Sequence, residues 1–171
     1  LPEQRVYEGY ESGNVAGMVN NWHISTDTGC AFIPLDGLSD ALELLLEEDT
    51  DLAKGLNYML GYMIDVFASI PFTKICVQTH ATLTGLRGIM RMYKLTKNHA
   101  YLSIVKSIFD LYINEGMTAN FANYNWFGRP EWTEPCAIID SFMLACQLFR
   151  ETEEQRYVDY ANYILYNGIY R

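Results

Sequence analysis

The chain of 171 residues carries a formal net charge of −9, is half hydrophobic and holds 13 tyrosines; its length suits one domain, able to bury roughly two thirds of its unfolded surface without staples. The acidity excludes a nucleic-acid partner, whose phosphates demand clustered Lys and Arg, and disfavours anionic membranes; no apolar run approaches the roughly 18 residues of a spanning helix. Cys30, Cys76, Cys136 and Cys146 stand far apart with no CxxC pair, which fits neither a zinc ribbon nor a disulfide scaffold and sets a reducing, cytoplasmic default, with no charged-then-apolar leader in front of it.

Residues 1–37 hold Pro2, Gly9, Gly13, Gly17, Gly29, Pro34 and Gly37, breakers that predict an irregular arm with one helix around Ala16 to Trp22. Pro34-Leu35-Asp36-Gly37-Leu38-Ser39-Asp40 reads as a turn followed by a serine N-cap. From Asp40 the helical period begins: Leu42, Leu45 and Leu46 share a face, and a second helix follows from about Asp51 to Ile70, stopped by Pro71. A third, Cys76 to Leu95, carries the stripe Leu83, Leu86, Met90 and Tyr93. The fourth, His99 to Asn114, carries Leu102, Val105, Phe109 and Tyr112, with Gly116 as its terminator. After an aromatic loop come a fifth helix, Cys136 to Arg150, and a sixth, Arg156 to Tyr166.

Two hairpins repeat. Tyr93-Lys94-Leu95-Thr96 with Tyr101-Leu102 matches Phe149-Arg150-Glu151-Thr152 with Tyr157-Val158 at a constant offset of 56. An aromatic ends one helix, a polar turn reverses the chain, and a tyrosine packs back on the helix just left. No segment alternates like a strand, so the expectation is one all-α domain over 1–171, with antiparallel helical hairpins from residue 38 onward. Tandem hairpins bury faces on their neighbours, which gives a solenoid or a closed (α/α)6 toroid. Three hairpins make only part of such a ring, so the chain reads as a fragment of a larger toroid.

Chemistry concentrates in Asn123-Tyr124-Asn125-Trp126-Phe127-Gly128-Arg129-Pro130-Glu131-Trp132-Thr133-Glu134-Pro135-Cys136. Glu134 and Cys136, two apart at a loop-to-helix junction, can converge on one ion, and a carboxylate with a thiolate suits zinc. The same pair also reads as a carboxylate favoured by a helix N-terminus and a first-turn core cysteine. Trp126, Trp132 and Tyr124 can stack on sugar faces while Asn123, Asn125 and Arg129 supply hydrogen bonds; aromatics that merely fill a helical core are the alternative. His80, in Gln78-Thr79-His80-Ala81, is either an acid, base or substrate contact facing a ring interior, or a histidine satisfied by the next helix. His23, beside Trp22 and near Asp27, poses the same choice, and His99 falls in a turn. Glu115, Glu131 and Glu134 are the carboxylates from which a glycoside-cleaving pair would be drawn.

The stretch from His80 through the Tyr-Leu hairpin start, the Asn-Tyr-Asn loop, Trp132-Thr133-Glu134-Pro135-Cys136 and the closing Tyr157-Val158-Asp159 with Tyr166-Asn167 resembles the helical-toroid domain of β-L-arabinofuranosidase-like glycoside hydrolases, over about residues 76 to 168. The resemblance implies an (α/α)6 barrel, an exo-acting sugar hydrolase and a zinc centre. Glu134 and Cys136 match the family's first two zinc ligands, and His80 its substrate-contacting histidine. The family's remaining ligands are a vicinal cysteine pair, one of them the nucleophile, and no two cysteines here are adjacent. Its acid/base glutamate falls near Thr118 to Asn120, where this chain has no carboxylate, leaving Glu115 as the nearest candidate. A catalytically incomplete glycosidase domain is therefore the first expectation. The alternatives are a non-catalytic carbohydrate-binding module using Trp126, Trp132 and Arg129, or another toroid sugar enzyme, an unsaturated uronyl hydrolase or epimerase, using His80 and His23.

Overall fold

A computed structural model describes residues 16–19, 22–25, 28–47, 50–130 and 132–170, with side chains from Cys30 onward except at Thr50. Trp22 and His23 lie on described backbone, but their side chains, like Asp27 and Glu131, lie outside the described residues.

Where a helix was expected near residue 16, two short strands, β1 (Ala16–Val19) and β2 (Trp22–Ser25), pair antiparallel with Ala16 opposite Ser25 and Val19 opposite Trp22. A 3-10 turn over Thr28–Ala31 follows. The expectation of a turn and a serine cap before the first helix is also corrected. Helix α1 spans Pro34–Leu45 with the proline at its start, where a fixed φ and a missing N–H cost nothing. Ser39 lies inside that helix, buried, its hydroxyl donating to the Asp36 carbonyl.

The remaining helices follow the expected periods: α2 (Thr50–Ala68), α3 (Thr79–Thr96), α4 (His99–Glu115), α5 (Pro135–Thr152) and α6 (Gln155–Tyr163), the last running on as a π-helical turn over Ile164–Ile169. They form three hairpins, α1/α2, α3/α4 and α5/α6. Helix α3 also packs on both α1 and α5, so these three make an inner row and the return helices an outer one. This is the arrangement of an α/α toroid arc, and the domain is all-α in its core.

Inner position explains composition. Helix α3, flanked on three sides, buries Leu83, Leu86, Ile89, Met90 and Tyr93 and also Thr79, Thr82 and Thr84, whose hydroxyls bond back to carbonyls four residues earlier or to the loop. Leu86 is 0% exposed; its replacement by alanine leaves a cavity and is expected to cost about 2–5 kcal/mol, measured as a shift in the urea midpoint.

The repeat is visible in the backbone. Lys97 and Glu153 are the left-handed C-caps of α3 and α5, with φ 56° and 58°. Their amides return to Tyr93 and Phe149, and Thr96 and Thr152 bond to Met92 and Leu148. The outer helices are tied by Arg156 to Asp110 at 2.8 Å and by Lys106 to Glu154. Gly116 ends α4 for a steric reason: a Cβ there would lie 2.8 Å from the Tyr112 ring and 3.1 Å from Thr79.

Candidate functional site

The 56-residue offset continues into the inner helices and builds the site. Gln78 and Glu134 are the N-caps of α3 and α5, His80 and Cys136 occupy the second helical position of each, and Thr84 and Asp140 lie one turn further in. Since α3 and α5 are neighbours in the inner row, these equivalent residues meet. Gln78 Nε2 donates to Glu134 Oε2 at 3.3 Å, and Thr84 Oγ1 donates to Asp140 Oδ2 at 2.7 Å. His80, Glu134 and Cys136 present donor atoms that all lie within 4.8 Å of one another. Two helix N-termini converge there, and their partial positive charge favours anionic groups.

Behind the cluster lies a charged network. His80 Nδ1 is 3.0 Å from Asp140 Oδ2, and Arg87 donates to Asp140 Oδ1 at 2.8 Å. Arg87 also reaches Asp36 of α1 at 3.2 Å, and Asp36 pairs with Arg91 at 2.9 Å. The hydrogen bond to Asp140 holds His80 above the ordinary imidazole range; burial opposes it, the charges of Asp140 and Glu134 add to it, and Arg87 subtracts. Burial alone would raise the carboxyl of Asp140, but the hydrogen bonds from His80, Thr84 and Arg87 outweigh that and keep it below its usual range.

The aromatic loop is clamped onto the start of α3. Thr79 N donates to the Asn125 carbonyl, Phe127 N to Val77, and Asn125 N to Trp132. Asn123, fully buried, donates to Thr79 Oγ1 and accepts from Glu134 N at 3.0 Å through its side-chain oxygen, so one amide fixes Glu134 relative to α3. Phe127 anchors the loop against Phe72, which packs on Phe67 and through it on Phe32. At the surface, Arg129 lies over the Trp126 ring at 5.1 Å, and Trp126 meets Trp132 at 6.1 Å. Trp132, with φ 51°, is 72% exposed.

The expected residues thus fall into groups. Glu134, Cys136 and His80 come together; Trp126, Arg129 and Trp132 form a half-exposed aromatic-cation ledge beside them. Tyr124 is half-buried and Asn125 is buried at 2% exposure, its backbone bridging Thr79 and Trp132. Glu115 is exposed at the last position of α4, next to Gly116, whose carbonyl accepts from Tyr124 N. His99, expected in the turn, is the first residue of α4 and packs against the Tyr93 ring. Asp140, Arg87 and Thr84 escaped the sequence reading as site residues, although for Asp140 and Thr84 the offset was a usable signal; Asn123, read there as a hydrogen-bonding sugar contact, is instead a fully buried clamp between Thr79 and Glu134.

The donor set fits a zinc-class ion. Imidazole, carboxylate and thiolate are its common ligands, and tetrahedral bonds of about 2.0–2.3 Å put donors roughly 3.5 Å apart. The observed donors, within 4.8 Å of one another, are spread wider than that, and Cys136 is exposed. Among the described residues no helix is long and apolar enough to cross a membrane. None of the curated proteins matches the chain. The family model for the β-L-arabinofuranosidase, GH127 catalytic domain, matches residues 51–170. With that match spanning helices α2 to α6 and the Glu134-x-Cys136 junction, the chain belongs to the GH127 β-L-arabinofuranosidase family.

Proposed function

We propose that this chain binds furanose-type sugars derived from plant or bacterial polysaccharide at the α3/α5 end of the inner row, and supplies part of a zinc-dependent glycoside hydrolase centre there. The observation that carries the reading is the convergence of His80, Glu134 and Cys136 beside the Trp126–Arg129–Trp132 ledge in a member of this family. A bound zinc would act as a Lewis acid and thiolate-activating charge. The chain's own residues hold and orient: Glu134 and Cys136 as ligands, Asn123 and Gln78 fixing Glu134, and the tryptophan faces packing on the apolar side of the sugar. Tyr124, Arg129 and His80 are proposed substrate contacts, with buried Asn125 holding the loop behind them, and exposed Glu115 at the end of α4 is the proposed proton donor.

The test is sugar binding followed by tryptophan fluorescence with arabinofuranosyl oligosaccharides, alongside hydrolysis of aryl arabinofuranosides with and without chelator. Trp132→Ala is expected to weaken binding about tenfold, or about 1.4 kcal/mol. Equal affinity in wild type and Trp132→Ala would remove the ledge from the reading. Binding without hydrolysis would favour the non-catalytic carbohydrate module, the second reading. The observation behind that reading is that no two cysteines of the sequence are adjacent and that residues 116–130 hold no carboxylate, with Glu115 exposed.

A further inference from the structure

We infer that the groove between α2 and α4, lined by Asn57, Tyr58, Gly61, Tyr62, Asp65 and Tyr101, is a second carbohydrate-binding site, which takes a short stretch of neutral saccharide on the outer layer of the arc. It stands apart from the centre proposed above. Tyr101 lies in the first turn of α4, beyond the C-terminal end of α3, whereas His80 is at the N-terminal end of α3, whose 18 residues span about 27 Å. A short oligosaccharide therefore occupies one site or the other, and the groove does not depend on how the metal cluster is read.

Three observations carry it. The first is that the rings are displayed instead of packed. Tyr58 is 80% exposed and Tyr62 48%, and they stand four residues apart on α2, so both lie along one side of the helix. The second comes from the repeat. Tyr157, the equivalent of Tyr101 at the 56-residue offset, is wholly buried with its ring 6.0 Å from Phe109, whereas Tyr101 is only half-buried and faces Gly61 of α2. A Cβ on Gly61 would stand 3.6 Å from the Tyr101 hydroxyl and meet no other helix's backbone within 4 Å. Unlike Gly88, this glycine is not wedged between helices; its missing side chain leaves the tyrosine hydroxyl open to a space of about 350 Å³, within the range of ligand sites. The third is the chemistry of the lining. Asn57 and Asp65, one turn to either side of Gly61, add an amide and a carboxylate, so ring faces for the apolar side of a sugar stand beside donors and acceptors for its hydroxyls. An apolar protein helix laid in the groove would strip water from that carboxylate and give it no partner. No Lys or Arg is among the lining residues to receive an anionic sugar. A neutral saccharide satisfies each of these groups.

NMR of the chain labelled in its tyrosine rings tests this, with neutral arabino- and xylo-oligosaccharides as probes and an oligogalacturonide as the anionic comparison. The neutral probes should shift the Tyr58, Tyr62 and Tyr101 signals saturably, alike in wild type and Trp132→Ala, and the anionic one should leave them in place. Tyr58→Ala combined with Tyr62→Ala should weaken binding about tenfold as read at Tyr101. Gly61→Leu favours the helix, keeps all three tyrosines and fills the floor of the groove, and it should abolish the shifts. Unmoved tyrosine signals in the wild type, or wild-type affinity in Gly61→Leu, would overturn the inference. So would a concentration-dependent dimer in sedimentation that Gly61→Leu dissociates, since a second copy would then be the occupant. Tyrosine shifts that persist while Trp132→Ala abolishes the tryptophan fluorescence response would uphold two separate sites. A fluorescence response with no tyrosine shifts would overturn the groove alone and leave the proposed function standing.

Discussion

Gly88→Ala should lower the thermal midpoint by about 10 °C, the equivalent of about 3 kcal/mol, although alanine is the better helix former. The reason lies in how close α1 comes to α3. A Cβ on Gly88 would sit 2.4 Å from the Leu35 carbonyl carbon, 2.5 Å from its oxygen and 2.6 Å from the Asp36 amide. All three are backbone atoms of an adjoining helix, so no side-chain rotation relieves the clash and α1 must move as a unit. That movement withdraws Leu35, which is fully buried, and pulls Asp36 from Arg87 and Arg91. Gly55→Ala is the control: it lies in α2 with nothing within 4 Å of the added methyl, so propensity alone acts and stability should rise by up to about 1 kcal/mol. Opposite signs for the two substitutions in calorimetry are expected. A neutral or stabilising Gly88→Ala would mean that the α1/α3 crossing is looser than described.

The helices were legible because packing imposes a period on them: Leu83, Leu86, Met90 and Tyr93 recur on one face, and all four are buried. The turns of the α3/α4 and α5/α6 hairpins were legible for a local reason as well, since in both the first helix ends in a threonine back-bonded to it. The start of α1 differs from its sequence reading because Gly37 and Ser39 are turn and cap formers in isolation, whereas in the fold Pro34 opens the helix and Ser39 is buried within it, accepting with the Asp36 carbonyl from Arg91. The candidate site was half legible. Glu134 and Cys136 announce themselves by chemistry and spacing, and His80 by its rarity. Asp140 and Thr84 do not, because the repeat conserves position while changing the residue: His80 answers to Cys136, and Thr84 to Asp140. Matching letters stops at the turn, whereas matching positions at the same offset reaches the cluster. The ties from Asp36 to Arg87 and Arg91 join residues more than fifty positions apart, and no local pattern encodes such a pairing.

Asp140→Ala is expected to destabilise the metal-free chain by about 3 kcal/mol in urea titration, because it removes one member of a largely buried charge cluster and leaves the rest. Arg87, with its side chain 20% exposed, would keep only Asp36, and His80 would lose the carboxylate at its Nδ1. Thr84 is spared, since its hydroxyl already bonds to the His80 carbonyl at 3.0 Å. Most of the loss is therefore the cost of a guanidinium with half its partners in a dry place, and the double replacement Arg87→Met with Asp140→Leu should recover the larger part of it.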